Sequence, residues 1–257
     1  MDHQALAAAS DTNMALEWAT LGRHAGFELG ETDSMTLLAS GIAVTYFNGG
    51  FAHAPTADPH RCVAEAIAFF ARSGVPFLLW LREGAYDGLI AAGRAAGLRD
   101  VGGPPSMALA SIGQSASSPS DLDLRLASSP ADMHDHRMLL AAGFGMPSEI
   151  LDRVMVDGLL DDPNTGIVVG RVDGVPVTTA MLAMSGETAG VYNVATLPDR
   201  RGNGYGEAAT WCVIAEGARR GCTHSILQSS DAGHPVYERM GFVDVGRYVQ
   251  LEGPPVG

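Results

Sequence analysis

The sequence predicts an α/β protein that consists of two similar domains. Strand-like and helix-like runs alternate along all 257 residues, and 46% of the residues are hydrophobic, which is enough for a sizeable core. A serine-rich stretch interrupts this alternation at residues 113–120 and is typical of a linker. We therefore predict an N-terminal domain at 1–112, a linker at 113–120 and a second domain at 121–257.

Two short patterns recur on either side of the linker, in the same order. Such recurrence predicts a duplicated fold. The paired segments are Ala71-Arg72-Ser73-Gly74 with Ala218-Arg219-Arg220-Gly221, and Ala96-Gly97-Leu98-Arg99-Asp100-Val101-Gly102 with Met240-Gly241-Phe242-Val243-Asp244-Val245-Gly246.

The first half begins with a predicted helix at residues 5–26, whose candidate core positions are Leu6, Met14, Leu16, Trp18 and Leu21. Asp58 followed by Pro59 predicts the start of another helix, because Asp caps the first N–H groups and Pro suits the first turn. The other predicted elements are strands at 35–44, 46–54, 76–81 and 107–112 and a helix at 86–96.

The second half predicts a hairpin whose turn contains Asp173 and Gly174. A central strand follows at 189–196, then a glycine-rich turn and a helix at 207–220. The remaining predicted elements are strands at 122–126 and 225–228, helices at 132–144 and 148–160, and a last strand at 242–251 that closes the sheet of this half.

The glycine-rich turn is the first candidate for a binding site. A strand, a glycine-rich turn and a helix can bind phosphate, because N–H groups at a helix start are unpaired and glycine permits close approach. Three interpretations compete: a structural turn, a dinucleotide-binding loop with Asp231 as its ribose ligand, and a coenzyme A pyrophosphate loop that includes Arg201. The stretch reads Leu197-Pro198-Asp199-Arg200-Arg201-Gly202-Asn203-Gly204-Tyr205-Gly206-Glu207.

A second motif favours the coenzyme A interpretation. Tyr237-Glu238-Arg239-Met240-Gly241-Phe242 follows the turn at a distance, and together the two motifs resemble the GCN5-related N-acetyltransferases (the GNAT family). In that family a strand leads into Pro-x-x-Arg-Gly-x-Gly-x-Gly, and a later short helix ends in Tyr-Glu-x-x-Gly-Phe. The resemblance covers residues 121–251. The positions that match are Pro198, Arg201, Gly202, Gly204, Gly206, Tyr237, Glu238, Gly241 and Phe242.

This resemblance implies two tandem GNAT-like domains, each a mixed, mainly antiparallel sheet flanked by helices. The N-terminal copy is expected to be degenerate, because residues 55–61 carry no glycines where the second half has its glycine-rich turn. The implied function is transfer of an acyl group from acetyl-CoA, as co-substrate and without a metal, to a small-molecule amine by direct attack. An acyl-CoA sensor without turnover is the alternative. The implied cofactor-binding residues are Val194, Ala195, Thr196, Arg201, Gly202, Asn203, Gly204, Tyr205, Gly206, Glu207 and Ser230.

Tyr237 matches the family's usual acid for the departing thiolate, although packing against Phe242 would also explain it. Many members of the family use a Glu on the central strand as the general base, but this strand contains no Glu, so the base is not assigned. Tyr192, Asn193 and Thr196 are candidates for ordering a water chain, and Glu187 is a weaker one. Two histidines, in His134-Asp135-His136, point apart on a helix, so we expect a solvated or substrate-facing helix rather than a metal site.

Charge and composition restrict the partners. The net charge of −13 argues against nucleic acid, and no apolar run is long enough to span a membrane. Three cysteines do not make a disulfide framework, and no basic stretch precedes an apolar one near the N-terminus. We therefore expect a cytoplasmic monomer or homodimer without a signal peptide.

Overall fold

The computed structural model describes residues 1–113 and 118–253. The helices are α1 (His3–Ala25), α2 (Pro59–Ser73), α3 (Asp87–Ala95), α4 (Pro130–Phe144), α5 (Ser148–Val154), α6 (Tyr205–Arg219) and α7 (His234–Arg239). The strands are β1 (Glu28–Glu31), β2 (Met35–Ala39), β3 (Asn48–Ala52), β4 (Phe77–Arg82), β5 (Arg99–Asp100), β6 (Pro105–Leu109), β7 (Asp123–Leu126), β8 (Thr165–Val172), β9 (Val175–Ser185), β10 (Thr188–Thr196), β11 (His224–Gln228) and β12 (Val243–Gly253). Short 3-10 segments lie at Thr45–Phe47, Asp157–Asp161 and Pro198–Arg200.

The chain divides into two compact units. The first contains Met1–Met107, Gln228–Asp231 and the C-terminal segment from Asp244, and the second contains Ala108–Leu227 and Ala232–Val243. These units differ in extent from the predicted domains, because the C-terminal segment belongs to the first unit. Residues 114–117 of the predicted linker lie outside the described residues. The domain boundary at 113–120 stays a prediction.

The first unit contains a mixed sheet in the order β1-β2-β3-β4-β12. Strands β3 and β4 are parallel, whereas β12 runs antiparallel to β4, with Tyr248 opposite Arg82 and Gly253 opposite Phe77. The expectation that residues 242–251 close the sheet of the second half is therefore wrong. An apolar pattern determines which face of a strand is buried, but it does not specify the partner strand.

Helices α2 and α3 contribute apolar side chains to the core of the first unit. Helix α2 begins as predicted: the Asp58 carboxylate accepts a hydrogen bond from the Arg61 N–H at 3.1 Å, and Pro59 occupies the first turn. Phe70 of α2 stacks on Phe77 of β4 with ring centroids 4.3 Å apart.

Helix α1 buries four of its five predicted core positions, and the exception is Leu16. Leu16, a predicted core position, is 45% exposed, whereas Glu17 is 5% exposed. Positions 10, 14, 17, 18 and 21 fall on one side of a helix with 3.6 residues per turn, and position 16 falls on the other. Helical spacing thus places the acidic residue inside and the leucine outside.

Two predicted strands of the first half are shorter than expected. Strand β2 ends at Ala39, and the Asn48 side chain supplies the hydrogen bonds of the connection that follows. Its amide oxygen accepts from the Ser40 N–H at 2.9 Å, and its amide nitrogen donates to the Ile42 and Val44 carbonyls at 2.9 and 3.1 Å. One buried amide therefore satisfies backbone groups that a strand ladder would otherwise pair.

The second unit also contains a mixed, mainly antiparallel sheet, in the order β11-β10-β9-β8-β7. The predicted hairpin joins β8 and β9, and both residues of its turn, Asp173 and Gly174, have positive φ, at 51° and 80°. Helices α4 and α6 each pack against β9 and β10. The predicted helix at 148–160 is shorter than expected: α5 ends at Val154 and a 3-10 segment follows at Asp157–Asp161.

The two units share an order of elements. The first runs β1-β2-β3-α2-β4-α3 and the second runs β8-β9-β10-α6-β11-α7, with β3 parallel to β4 and β10 parallel to β11. Tandem duplication stays a prediction, and this shared order is the observation in its favour. Among the described residues, no helix is long and apolar enough to cross a membrane.

Candidate active site

The centre of the second unit is a bulge in β10. Tyr192 lies opposite Met181 and Ala195 lies opposite Thr179, so β10 has one residue more than β9 over this interval. Asn193 lies within the bulge with φ of 54°, a conformation that non-glycine residues seldom adopt. A bulge leaves a residue unpaired and re-aims the backbone that follows it.

The parallel pairing of β10 with β11 ends before the bulge. It runs from Thr188 opposite His224 to Gly190 opposite Ile226. The N–H groups of Val194, Ala195 and Thr196, which the resemblance assigns to the cofactor, therefore lie beyond that register. A side-chain contact holds this end of β10, because the Thr178 hydroxyl donates to the Ala195 carbonyl at 3.0 Å.

The glycine-rich turn leads directly into α6. Gly202 and Gly204 have φ of 81° and 77°, and Gly204 is the N-cap residue of α6. Since glycine has no side chain, no side chain caps this helix start. The unpaired N–H groups of the first turn, together with the positive end of the helix dipole, favour an anion there.

Gly206 permits close approach between this helix start and the end of β10. A Cβ atom at Gly206 would lie 3.1 Å from the Thr196 hydroxyl oxygen. The first turn of α6 therefore lies beside the segment that follows the bulge. The backbone of residues 194–196 thus lies close to the backbone of residues 204–207.

Arg201 and Asn203 hold the shape of the turn. Arg201 donates from Nη2 to the Gly143 carbonyl at 3.0 Å and from Nε to the Thr196 carbonyl at 3.4 Å, and its side chain is exposed. Asn203 donates from Nδ2 to the Arg200 carbonyl at 2.9 Å. Arg201 thus places its positive charge at the turn while bonding to main-chain oxygens.

Tyr205 and Glu207 differ in their surroundings. The Tyr205 ring is buried, its hydroxyl donates to an Asp121 carboxylate oxygen at 2.6 Å, and this hydrogen bond raises the pKa of the phenol. Its side chain therefore anchors the helix start. Glu207 is half-buried in the first helical turn.

Tyr237 is connected to the same helix start. Its half-buried phenol is hydrogen-bonded to the Thr210 hydroxyl, which donates to the Gly206 carbonyl at 2.8 Å. Burial raises the pKa of Tyr237 to about 12, so the phenol keeps its proton at neutral pH. The Tyr237 ring also packs edge-on against Phe242, with centroids 5.9 Å apart. Tyr237 therefore packs against Phe242 and at the same time keeps its hydroxyl group hydrogen-bonded.

Ser230 belongs to the first unit, whereas the other predicted site residues belong to the second. Glu187 is the weaker base candidate, and it precedes β10 at the end opposite the bulge. Its carboxylate accepts a hydrogen bond from the Thr223 hydroxyl at 3.2 Å. Five residues of strand, 188–192, separate Glu187 from Asn193 in the bulge, roughly 20 Å at about 3.3 Å per residue. We therefore exclude Glu187 as a base for chemistry at the bulge.

The two histidines expected on a solvated or substrate-facing helix do point apart: His134 is exposed, but for His136 the expectation is wrong. His136 is fully buried on α4, and burial lowers its pKa to about 3. The Thr179 hydroxyl donates to the Val168 carbonyl at 2.7 Å and must accept from His136 Nδ1 at 2.7 Å. This tautomer leaves Nε2 as a buried acceptor with no partner among the described residues. No sequence motif marks this residue.

The comparisons with known proteins agree with this geometry. Residues 134–242 match the model of the Acetyltransferase (GNAT) family, a segment that contains the bulge, the turn and Tyr237. Among solved structures, a GCN5-related N-acetyltransferase from Kribbella flavida is 21% identical, with 96% of this chain and 95% of that chain covered and a TM-score of 0.75. One from Sphaerobacter thermophilus is 16% identical, with 96% and 93% covered and a TM-score of 0.60.

A functionally unknown conserved protein from Staphylococcus epidermidis is 14% identical, with 88% and 93% covered and a TM-score of 0.62. No curated protein matches the chain. The structural similarities show the fold, and the matched segment supports the GNAT acetyltransferase family. Within the described ranges, no group of three or more His, Cys, Asp or Glu side chains is placed to hold a metal ion.

Proposed function

We propose that this protein is an acetyl-CoA-dependent N-acetyltransferase that acts on the amine of a small molecule. The single observation that carries the proposal is the bulge of β10 beside the uncapped start of α6. The bulge supplies backbone donors beyond the pairing of β10 with β11, and the helix start supplies an anion site. Acetyl-CoA contains a thioester oxygen, which accepts hydrogen bonds, and a pyrophosphate anion, so it is a ligand that uses the backbone donors and the anion site together.

Each part of the turn has a role in this proposal. The backbone of residues 202–207 binds the pyrophosphate, and Arg201 adds positive charge at the turn. Val194, Ala195 and Thr196 donate to the pantetheine arm and to the thioester oxygen, where negative charge develops as the amine attacks. Ser230 is proposed as a further cofactor contact.

Tyr237 is the proposed acid. Its phenol holds a proton at neutral pH, because burial raises the pKa to about 12. As the amine nitrogen bonds to the thioester carbon and the C–S bond breaks, the Tyr237 hydroxyl gives its proton to the departing sulfur. The proton that the nitrogen loses returns to the Tyr237 oxygen. Thr210 positions this hydroxyl relative to the first turn of α6.

The N-terminal domain is proposed to be a degenerate copy. In the first unit, the helix that corresponds to α6 is α2, and the Asp58 carboxylate caps its start. A carboxylate in that place satisfies the N–H groups and repels a phosphate. We therefore expect one pyrophosphate site in the chain, in the second unit.

A non-catalytic acyl-CoA sensor is the second candidate, and one observation favours it. Strand β10 carries no carboxylate, and Glu187 lies at its far end. Two experiments decide between the candidates. Isothermal titration with acetyl-CoA tests binding, and no binding at millimolar concentrations would refute both. A thiol-release assay over a library of small amines then tests turnover, because a sensor releases no CoA. Cytoplasmic location and a monomeric or homodimeric state stay predictions.

A further inference from the structure

Helix α1 of the first unit carries two buried acidic side chains with opposite surroundings. Asp11 is fully buried and completely partnered: it accepts from Arg82 Nε at 3.0 Å and Nη2 at 2.8 Å. The hydroxyls of Tyr86 and Tyr248 donate to the same carboxylate at 2.9 and 2.8 Å. A guanidinium and two phenols therefore compensate the charge of Asp11 inside the protein.

Glu17 lies about two helical turns further along α1 and has none of these partners. It is 5% exposed, and within the described part of the chain its carboxylate accepts no hydrogen bond and forms no ion pair. Burial alone raises the pKa of Glu17 to about 8. Glutamate is seldom buried unless it is paired, because an uncompensated charge is strongly unfavourable away from water. The chain itself thus supplies no counter-ion for Glu17.

Aromatic rings pack around Trp18, the residue that follows Glu17 on α1. Trp18 stacks on Phe51 with centroids 5.1 Å apart. Tyr46 packs edge-on against Trp18 at 5.7 Å and against Trp80 at 6.1 Å. Burial, and after it the charge of Glu17, raises the pKa of Tyr46 to about 12, so the Tyr46 hydroxyl and this carboxyl group interact electrostatically. We call Glu17, Trp18, Tyr46 and Trp80 the Glu17 cluster.

The Glu17 cluster has an open side and an unused donor. Tyr46 is 44% exposed, so solvent reaches the cluster across this ring. Trp80 is 5% exposed, and its indole Nε1 is buried without a hydrogen-bond partner among the described residues. A buried indole N–H without a partner and a carboxyl group whose charge has no counter-ion are both unfavourable, and one ligand can satisfy both.

We propose that the Glu17 cluster is a binding site for an organic ammonium cation that also carries an oxygen atom. The carboxylate supplies the opposite charge, and the faces of tryptophan and tyrosine attract cations, most strongly when water is excluded. The Trp80 N–H donates to the oxygen of the ligand. Metal ions are poorer ligands for this cluster, since Ca²⁺ and Mg²⁺ require about six or more oxygen ligands and one carboxylate is present.

This proposal does not rest on acetyl transfer, because every residue in it belongs to the first unit. The probes are choline and ethanolamine, which are ammonium cations with a hydroxyl group. The control ligand is 3,3-dimethyl-1-butanol, which has the shape of choline without its charge. The chain has three tryptophans, so a Trp211→Phe background leaves Trp18 and Trp80 as the only indole reporters. Titration at constant ionic strength is followed by indole fluorescence and by calorimetry.

At least one cation should bind saturably and at least about tenfold more tightly than the uncharged alcohol. Glu17→Gln keeps the shape of the side chain and removes its charge, so it should weaken cation binding by at least about tenfold. The matched control is Glu31→Gln, which makes the same change at an exposed residue and should leave binding unaltered. Thermal unfolding and acetyl-CoA titration show whether each variant is folded.

Two results would overturn the proposal. One is that neither cation binds more tightly than the alcohol. The other is that the folded Glu17→Gln protein binds the cation as wild type does. Failure of acetyl-CoA binding in the wild-type protein would refute the proposed acetyltransferase function and leave this result unaffected.

Discussion

Replacing Glu17 with glutamine should stabilise the protein in a way that depends on pH. The unfolded chain releases the Glu17 proton near pH 4.5, whereas burial raises the folded-state pKa to about 8. Between these values the folded protein holds a proton that the unfolded chain has lost. The contribution of Glu17 is therefore fully present below about pH 4.5 and is lost as the pH rises to about 8.

The size of the effect follows from the width of this interval. The free energy changes by about 1.4 kcal/mol for each pH unit, so the interval corresponds to about 5 kcal/mol as an upper value. Glutamine does not titrate, and its own buried amide contributes a constant offset. The free energy of unfolding of Glu17→Gln minus that of wild type should therefore increase with pH and level off above pH 8.

Urea unfolding of both proteins at about pH 4, 6, 7 and 9 measures this difference. Measurements are made without organic cations, because a bound cation would offset the cost of the charge. Glu31→Gln is the control and should run parallel to wild type, since Glu31 is exposed. A difference between Glu17→Gln and wild type that stays constant with pH would refute the account of Glu17 as a buried, unpaired acid.

Three further predictions concern the second unit. Tyr237→Phe should lower single-turnover acyl transfer by roughly 10²–10⁴-fold with little change in acetyl-CoA affinity, and equal rates would remove Tyr237 from the mechanism. Gly204→Val should abolish acetyl-CoA binding in calorimetry; Gly174→Val, which has a similar positive φ in the β8–β9 turn, controls for backbone strain and should bind normally. A folded Gly204→Val protein with normal affinity would contradict the pyrophosphate assignment. For His136, burial lowers the folded-state pKa from 6.5 to about 3, so its contribution to stability is present above pH 6.5 and is lost towards pH 3. The free energy of unfolding of wild type should therefore fall by about 1.4 kcal/mol per pH unit across this range, and His136→Asn should lack this fall. If urea unfolding gives parallel stabilities for the two proteins across this range, the burial of the neutral ring is contradicted.

Local sequence signals were sufficient where a short segment determines its own structure. The start of α2 follows from Asp58 and Pro59, and the β8–β9 turn follows from Asp173 and Gly174. The glycine-rich turn was also predicted where it lies, between β10 and α6. In each case the residues that cause the structure are neighbours in the chain.

Features that depend on distant residues could not be predicted in this way. Strand β12 pairs with β4 and with β5, and no local pattern in these strands specifies the pairing. His136 is buried because Thr179, on a strand far along the chain, accepts from its ring. Glu17 was overlooked because acidic residues are usually exposed and the leucine beside it was the more plausible core residue.

The contrast between the starts of α2 and α6 has a consequence for how the chain responds to a ligand. The α2 start is closed by its own carboxylate, from Asp58, whereas the α6 start has only Gly204 at its cap. Amide protons in the first turn of α2 should therefore exchange with solvent at the same rate with or without acetyl-CoA. Those of Tyr205, Gly206 and Glu207 should slow when the nucleotide is added, with one nucleotide bound per chain. Hydrogen exchange measured by mass spectrometry would then distinguish a helix whose first N–H groups are capped by its own side chain from one whose first N–H groups are bound by a ligand.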